Sequence, residues 1–216
     1  MKRAGATHGA QAGLVLAHGR GADAADILGL FARAGLEGVA AVAPEAPGRS
    51  WWPTSFLASA EDMEPHVLHA LDAMEAGVRL LEAEGLTRNR IWLGGFSQGA
   101  CLALETFARR GEGLAGVLAF SGGLIGTADA GGGARIELYG HGEKRFDDYG
   151  RRDGAQAWIS VHERDPHIPL ARAVRSAEVL RALGVGVELT VYPGAGHSVL
   201  AQDLAALRRL VAAPGG

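Results

Sequence analysis

The chain has 216 residues, 48% apolar and 21% charged, with a net charge of −3, the composition of an ordinary globular protein able to bury a full core. No basic stripe is present to attract nucleic acid or an anionic membrane, no run reaches the roughly 18 apolar residues of a membrane span, and the single cysteine, Cys101, excludes an internal disulfide. The opening "MKRAGATHGAQAG" starts basic but lacks the apolar stretch of about 7–15 residues that a secretory signal needs, so a soluble cytoplasmic protein is expected.

Along the chain, short apolar runs alternate with helical patterns. "GLVLAH" (13–18) reads as a first strand, followed by a helix over 23–34 and a second strand at "GVAAVAP" (38–44). A helix over 64–84 is predicted to start around Asp62, Glu64 and Pro65 and to stop at Gly85. Then come a strand at "RIWLGGF" (90–96), a helix over 98–110 and a strand at "GLAGVLAF" (113–120). The last elements are a strand at "AQAWISV" (155–161), a helix over 169–183 between Pro169 and Gly184, a strand at "VGVELTVY" (185–192), and a helix over 199–212. Continuous apolar runs, as opposed to alternating ones, mark strands buried on both faces. Their alternation with helices predicts right-handed βαβ units and a mostly parallel sheet. No linker or repeat divides the chain, so one domain over 1–216 is expected. Residues 121–154 are Gly-rich, mixed in charge and too long for an ordinary connection; they read either as a solvated surface loop or as a flap over a site.

Ligands in an open parallel sheet collect at the carboxyl ends of the strands, and five of the predicted strand ends carry chemically useful groups. The third ends in Gly95-Phe96-Ser97-Gln98-Gly99. Glycines two residues either side of a serine allow a strand-to-helix turn too sharp for other side chains, which exposes the serine as a nucleophile with the following helix aimed at a developing oxyanion. A serine hydroxyl needs a positioned base. His197, after the sixth strand and preceded by Gly194-Ala195-Gly196, has the freedom to reach over the sheet edge; His18, His66, His69, His141, His162 and His167 have no comparable placement. A carboxylate must orient that base. Asp165 follows the fifth strand in the chain order Ser, Asp, His, with Glu163 as its rival. The two expected oxyanion donors are the backbone N–H groups of Gln98, next to the nucleophile, and of Arg20 in "HGRG" (18–21). Trp51, Trp52 and Phe56 either wall a substrate pocket or pack their loop against the body. Cys101, one helical turn beyond Ser97, reads as core. No Cys/His cluster has the spacing of a zinc site.

"LAHGRGADAADIL", "APEAPGRSWWPTSF", "GGFSQGACLAL", "FSGGLIG", "DPHIP" and "VYPGAGH" occur in this order over nearly the whole chain. Together they resemble the phospholipase/carboxylesterase family of α/β-hydrolases, which includes the acyl-protein thioesterases. The resemblance implies a three-layer α/β-hydrolase fold whose mostly parallel sheet has about six to seven strands; the stretch before the first strand is short here, a reduced N-terminus in which the opening antiparallel strands of larger members are expected to be missing. It implies Ser97, Asp165 and His197 as a catalytic triad and Arg20 and Gln98 as backbone donors. The activity implied is that of a carboxylesterase-type serine hydrolase acting on a small-molecule ester of short to medium acyl chain, without metal or cofactor. An acyl thioesterase or lysophospholipase on the same triad is the first alternative, and a non-catalytic binding protein on the same fold the second. A homodimer is compatible with the fold, but no interface is legible. Two departures from the family pattern stand out: residues 126–154 match none of its motifs, and "VHERD" precedes Asp165 where a smaller, glycine-containing turn is expected.

Overall fold

The computed structural model describes residues 1–127, 134–138 and 140–212. Its centre is a seven-stranded sheet: β1 (Lys2–Gly5), β2 (Ala12–Ala17), β3 (Val39–Ala43), β4 (Ile91–Phe96), β5 (Gly116–Phe120), β6 (Gln156–Arg164) and β7 (Gly186–Ala195), in the order β1-β3-β2-β4-β5-β6-β7. β2 to β7 pair in parallel. β1 is antiparallel to β3, so one antiparallel opening strand is present where none was expected. It lies at the sheet edge and its four residues, KRAG, are largely exposed, so it lacks the apolar run that marks the other strands.

Five helices cover the two faces. α2 (Ala60–Ala83), α3 (Gln98–Arg110) and α4 (Leu170–Ala182) bury Leu71, Met74, Phe107 and Leu180 against Val15, Val42, Leu93 and Val117. α1 (Ala24–Ala34) and α5 (Ala201–Val211) bury Ile27, Phe31, Leu204 and Leu207 against Leu14, Leu16, Trp92 and Leu118. Successive strand residues point to opposite faces, so Leu14 and Leu16 join one core while Val15 joins the other. Among the described residues no helix is long and apolar enough to cross a membrane.

The helix starts follow their caps. Asp23 accepts the Ala25 and Asp26 N–H groups at 2.8 and 3.2 Å, while Asp26 accepts the Asp23 N–H, closing a capping box on α1. α2 begins four residues before the expected start because Ser59 caps it, accepting the Asp62 N–H at 3.1 Å. Pro65 therefore sits inside the helix, on its exposed side, where it forfeits one backbone bond.

The described part of 121–154 is anchored to the body. Glu105 of α3, fully buried, accepts Lys144 Nζ, the Tyr149 hydroxyl, Arg109 Nε and the Ile125 N–H at 2.7–2.9 Å. Burial works to raise the pKa of Glu105, but the Lys144 ammonium and Arg109 guanidinium outweigh it and hold the carboxyl below its ordinary value. The same segment also ties Arg152 to the Phe107 and Ala108 carbonyls. It thus braces the far end of α3.

Removing one partner of a buried ion pair leaves the other uncompensated. Glu105→Ala is therefore expected to cost about 3–5 kcal/mol, read as a lower urea midpoint with unchanged slope. Glu188→Ala, which breaks the exposed pair with Arg209, should cost less than about 1 kcal/mol.

Candidate active site

The chain passes from β2 to β3 on one side of the sheet and returns to β4 on the other side of β2. The loops after β2 and β4 consequently diverge and leave a crevice above the strand ends. Ser97 stands there, the only residue between β4 and α3, at φ 55° and ψ −120°. A Cβ at position 95 would overlap the Gly99 carbonyl, and one at 99 would overlap the Ala17 carbonyl. Both glycines are thus required by the closeness of the turn to itself and to β2. The Ser97 N–H donates to the Phe120 carbonyl at 3.0 Å, pinning the strained residue to β5. Such a conformation costs on the order of 1–3 kcal/mol and persists only where its surroundings enforce it.

His197 follows β7 and lies between the rings of Phe96 and His167, at centroid distances of 4.9 and 4.7 Å. Its Nε2 is 2.8 Å from Ser97 Oγ, and its Nδ1 is 2.9 and 3.0 Å from the two carboxylate oxygens of Asp165. The carboxylate accepts, so Nδ1 carries the proton and Nε2 is free to accept from the serine hydroxyl. Asp165 also accepts the His167 and Ile168 N–H groups, at 2.9 and 3.0 Å. Burial tends to raise its pKa, but the His197 bond and these two backbone donors outweigh it and keep the carboxyl below its ordinary value of 3.8.

The carboxylate stands at the end of "VHERD", beside a bulge in the neighbouring strand. The two steps of β6 from His162 to Arg164 face three of β7 from Tyr192 to Ala195, so the extra residue lies in β7, where it re-aims the chain that leads to His197. Glu163, the rival acid, points elsewhere: it accepts the Gly194 N–H at 3.0 Å. His162 is buried under the loop that carries His197, and a Cβ on Gly196 would come within 2.6 Å of its ring.

Gln98 begins α3, so its N–H is among those with no acceptor inside the helix. Its side chain is occupied: Oε1 accepts the Trp51 N–H at 3.1 Å and Nε2 donates to the Trp52 carbonyl at 3.0 Å. The Arg20 N–H makes no bond to another described residue. Its guanidinium is neither solvated alone nor aimed at a ligand, because it donates to the Pro53 and Thr54 carbonyls. His18 holds the same two loops together, with Nδ1 donating to the Gly19 carbonyl at 2.8 Å and Nε2 accepting the Ala46 N–H at 3.1 Å.

A cavity of about 680 Å³ opens beside Ser97, walled by Trp52, Phe56, Phe96, Cys101 and Ile168. The three aromatics of the 51–56 loop therefore divide. Trp52 and Phe56 line the cavity, whereas Trp51 packs on the His18 ring at 5.1 Å and donates its indole N–H to the His18 carbonyl. Trp51 is a support of the loop and not a wall of the cavity. Cys101 is fully buried, which pushes its thiol pKa up to about 12. His167, given no role from sequence, rests against His197; the signal for it is the Asp-Pro turn at 165–168, which folds back onto the Asp165 carboxylate.

A mostly parallel sheet sandwiched between helices, with a serine at a positive φ linked through a histidine to a carboxylate, defines the α/β-hydrolase class. The phospholipase/carboxylesterase family model matches residues 5–132, and the chain belongs to that family. The matched region contains Ser97; Asp165 and His197 lie beyond it. Acyl-protein thioesterase 1 of Gibberella zeae is 32% identical over 124 residues, 56% of this chain and 46% of that protein, so the match spans about half the length of the curated relative. A phospholipase/carboxylesterase structure from Dyadobacter fermentans is 32% identical, with a TM-score of 0.85 over 98% of this chain and 95% of that one. A carboxylesterase structure from Mesorhizobium loti, 18% identical, shares the fold with a TM-score of 0.70 over 98% of this chain and 93% of its own.

Because the Asp165 carboxyl titrates lower in the folded protein than in the unfolded chain, its contribution to stability is present above pH 3.8 and is lost as pH falls through the folded value. Asp165→Asn is expected to show a flatter stability curve than the wild type between about pH 5 and pH 2. Thermal melts across that range provide the check.

Proposed function

We propose that this chain is a serine hydrolase that cleaves carboxylic esters of short to medium acyl chain through an acyl-enzyme. The observation that carries the reading is the unbroken hydrogen-bond chain from Ser97 Oγ through His197 to Asp165. Family membership supports it independently. In this reading His197 Nε2 takes the serine proton as Oγ bonds to the carbonyl carbon. The N–H groups of Gln98 and Arg20 hold the resulting oxyanion, assisted by the positive end of α3, with each donor worth about 3–4 kcal/mol of barrier. Collapse of the intermediate breaks the bond to the alcohol, whose oxygen takes the proton from Nε2. Water then gives a proton to His197 and adds to the acyl carbon, and Ser97 leaves with that proton. These steps require neither metal nor cofactor. Trp52, Phe56, Cys101 and Ile168 offer the acyl chain an apolar wall. The whole of this machinery is taken to belong to one hydrolase domain, with the described part of 121–154 bracing α3 from behind.

The match to acyl-protein thioesterase 1 favours a second reading, a thioesterase on the same residues, since the triad does not distinguish oxygen from sulfur leaving groups. Rates with matched ester, thioester and lysolipid substrates separate the two.

Ser97→Ala is expected to keep the fold and lose p-nitrophenyl ester hydrolysis. His197→Ala and Asp165→Asn should each lower kcat by about 10³–10⁴-fold, whereas Glu163→Gln should retain activity. Full activity in Ser97→Ala, or a crippled Glu163→Gln beside an active Asp165→Asn, contradicts these assignments.

A further inference from the structure

Two clefts meet at His197. The larger holds Ser97, Gln98 and Arg20 in its wall. The second, of about 360 Å³, runs between α1 and the residues after His197; it shares Gly19, Ala22, Phe96 and His197 with the first but includes none of Ser97, Gln98 or Arg20. We propose that this second cleft seats the leaving alcohol of the ester, and that it selects an alcohol with an apolar body beside the ester oxygen and an anionic group farther out. The inference rests on the hydrolase reading above and extends it to the other half of the substrate.

The leaving oxygen must take its proton from His197 Nε2, so the alcohol departs on the imidazole side of the tetrahedral carbon. The carbonyl oxygen is committed to the Gln98 and Arg20 N–H groups, and the acyl substituent has the larger cavity, where those donors and the nucleophile stand. The cleft that contains the imidazole but not the nucleophile is therefore the one the alcohol can occupy without displacing either. It opens on the face of the sheet covered by α1, opposite the Trp52 and Phe56 wall, so the two substituents diverge as the geometry at carbon requires.

The lining then specifies the alcohol. Ile27 and Leu30 lie on one face of α1, opposite Val199, with Phe96 closing the inner end. These side chains exclude water and reward an apolar body. Asp26 has one carboxylate oxygen engaged by the Asp23 N–H at 2.9 Å. Arg33, about two turns further along the same face, is exposed and makes no hydrogen bond or ion pair with any described residue. An uncommitted guanidinium at the outer end of an apolar trough is suited to a carboxylate or phosphate carried by the alcohol.

The test holds the acyl group constant. Methyl, benzyl, 4-carboxybenzyl and 4-(aminomethyl)benzyl butyrates are compared on the full chain by kcat/KM, alongside methyl esters of increasing acyl length. Leu30→Trp, which fills the trough, is expected to lower the benzyl-to-methyl ratio by at least about fivefold without a matching change along the acyl series. Arg33→Glu, an exposed substitution that does not threaten folding, is expected to shift the carboxybenzyl-to-aminomethylbenzyl ratio by about tenfold towards the cation. If both ratios stay within about twofold of the wild type in enzyme that a fluorophosphonate labels at Ser97, the cleft assignment is wrong and the hydrolase reading stands. If the wild type is not labelled at Ser97, the hydrolase reading falls and takes the cleft with it.

Discussion

The upper edge of the molecule depends on one backbone turn. Ser97 is held at a positive φ between a strand and a helix, a conformation that an isolated chain would leave at once. Three neighbours prevent this: β5 receives its N–H, β2 leaves no room for anything but hydrogen at Gly99, and α3 begins at the next residue. His197 Nε2 is aimed at the point this turn creates, and Asp165 holds the ring there. The imidazole reaches Ser97 Oγ from the end of the bulged β7, and the Gln98 N–H is free only because the helix starts there.

The loops around this point are held by side chains whose polar atoms face protein. Gln98 grips the backbone at 51–52, Arg20 grips it at 53–54, and His18 and Trp51 lock the first loop to the second. Backbone carbonyls accept most of these bonds, which leaves the nearby amides available to a ligand. These contacts preorganise the loops, and the strongly charged cluster around Glu105 is kept farther along α3, where its field falls less on Ser97 and His197.

Much of this was legible in the residues. Six parallel strands stood out because each is a continuous apolar run, and Ser97, Asp165 and His197 because each follows one of those runs, although Glu163 competed with Asp165. β1 was not legible, since an edge strand of four largely exposed residues carries no periodic signal. The start of α2 was misplaced because Pro65 resembles a first-turn residue, while the serine that caps the helix lies six residues earlier. Trp51 and Trp52 are adjacent and chemically alike, so only the fold could send one under the loop and the other into the cavity. The second cleft was invisible for a related reason: its walls come from α1 and from residues after 197, segments that sequence spacing alone gives no cause to bring together.

The chain's one thiol sits at the heart of α3, against the Gly123 N–H and away from solvent. Alkylating or oxidising reagents can meet it only when the apolar wall of the cavity beside Ser97 parts or the helix lifts from the sheet. The rate at which a maleimide consumes the thiol under native conditions therefore reports how often the packing around the Ser97 cavity opens, with no label to introduce and no competing sulfhydryl to silence.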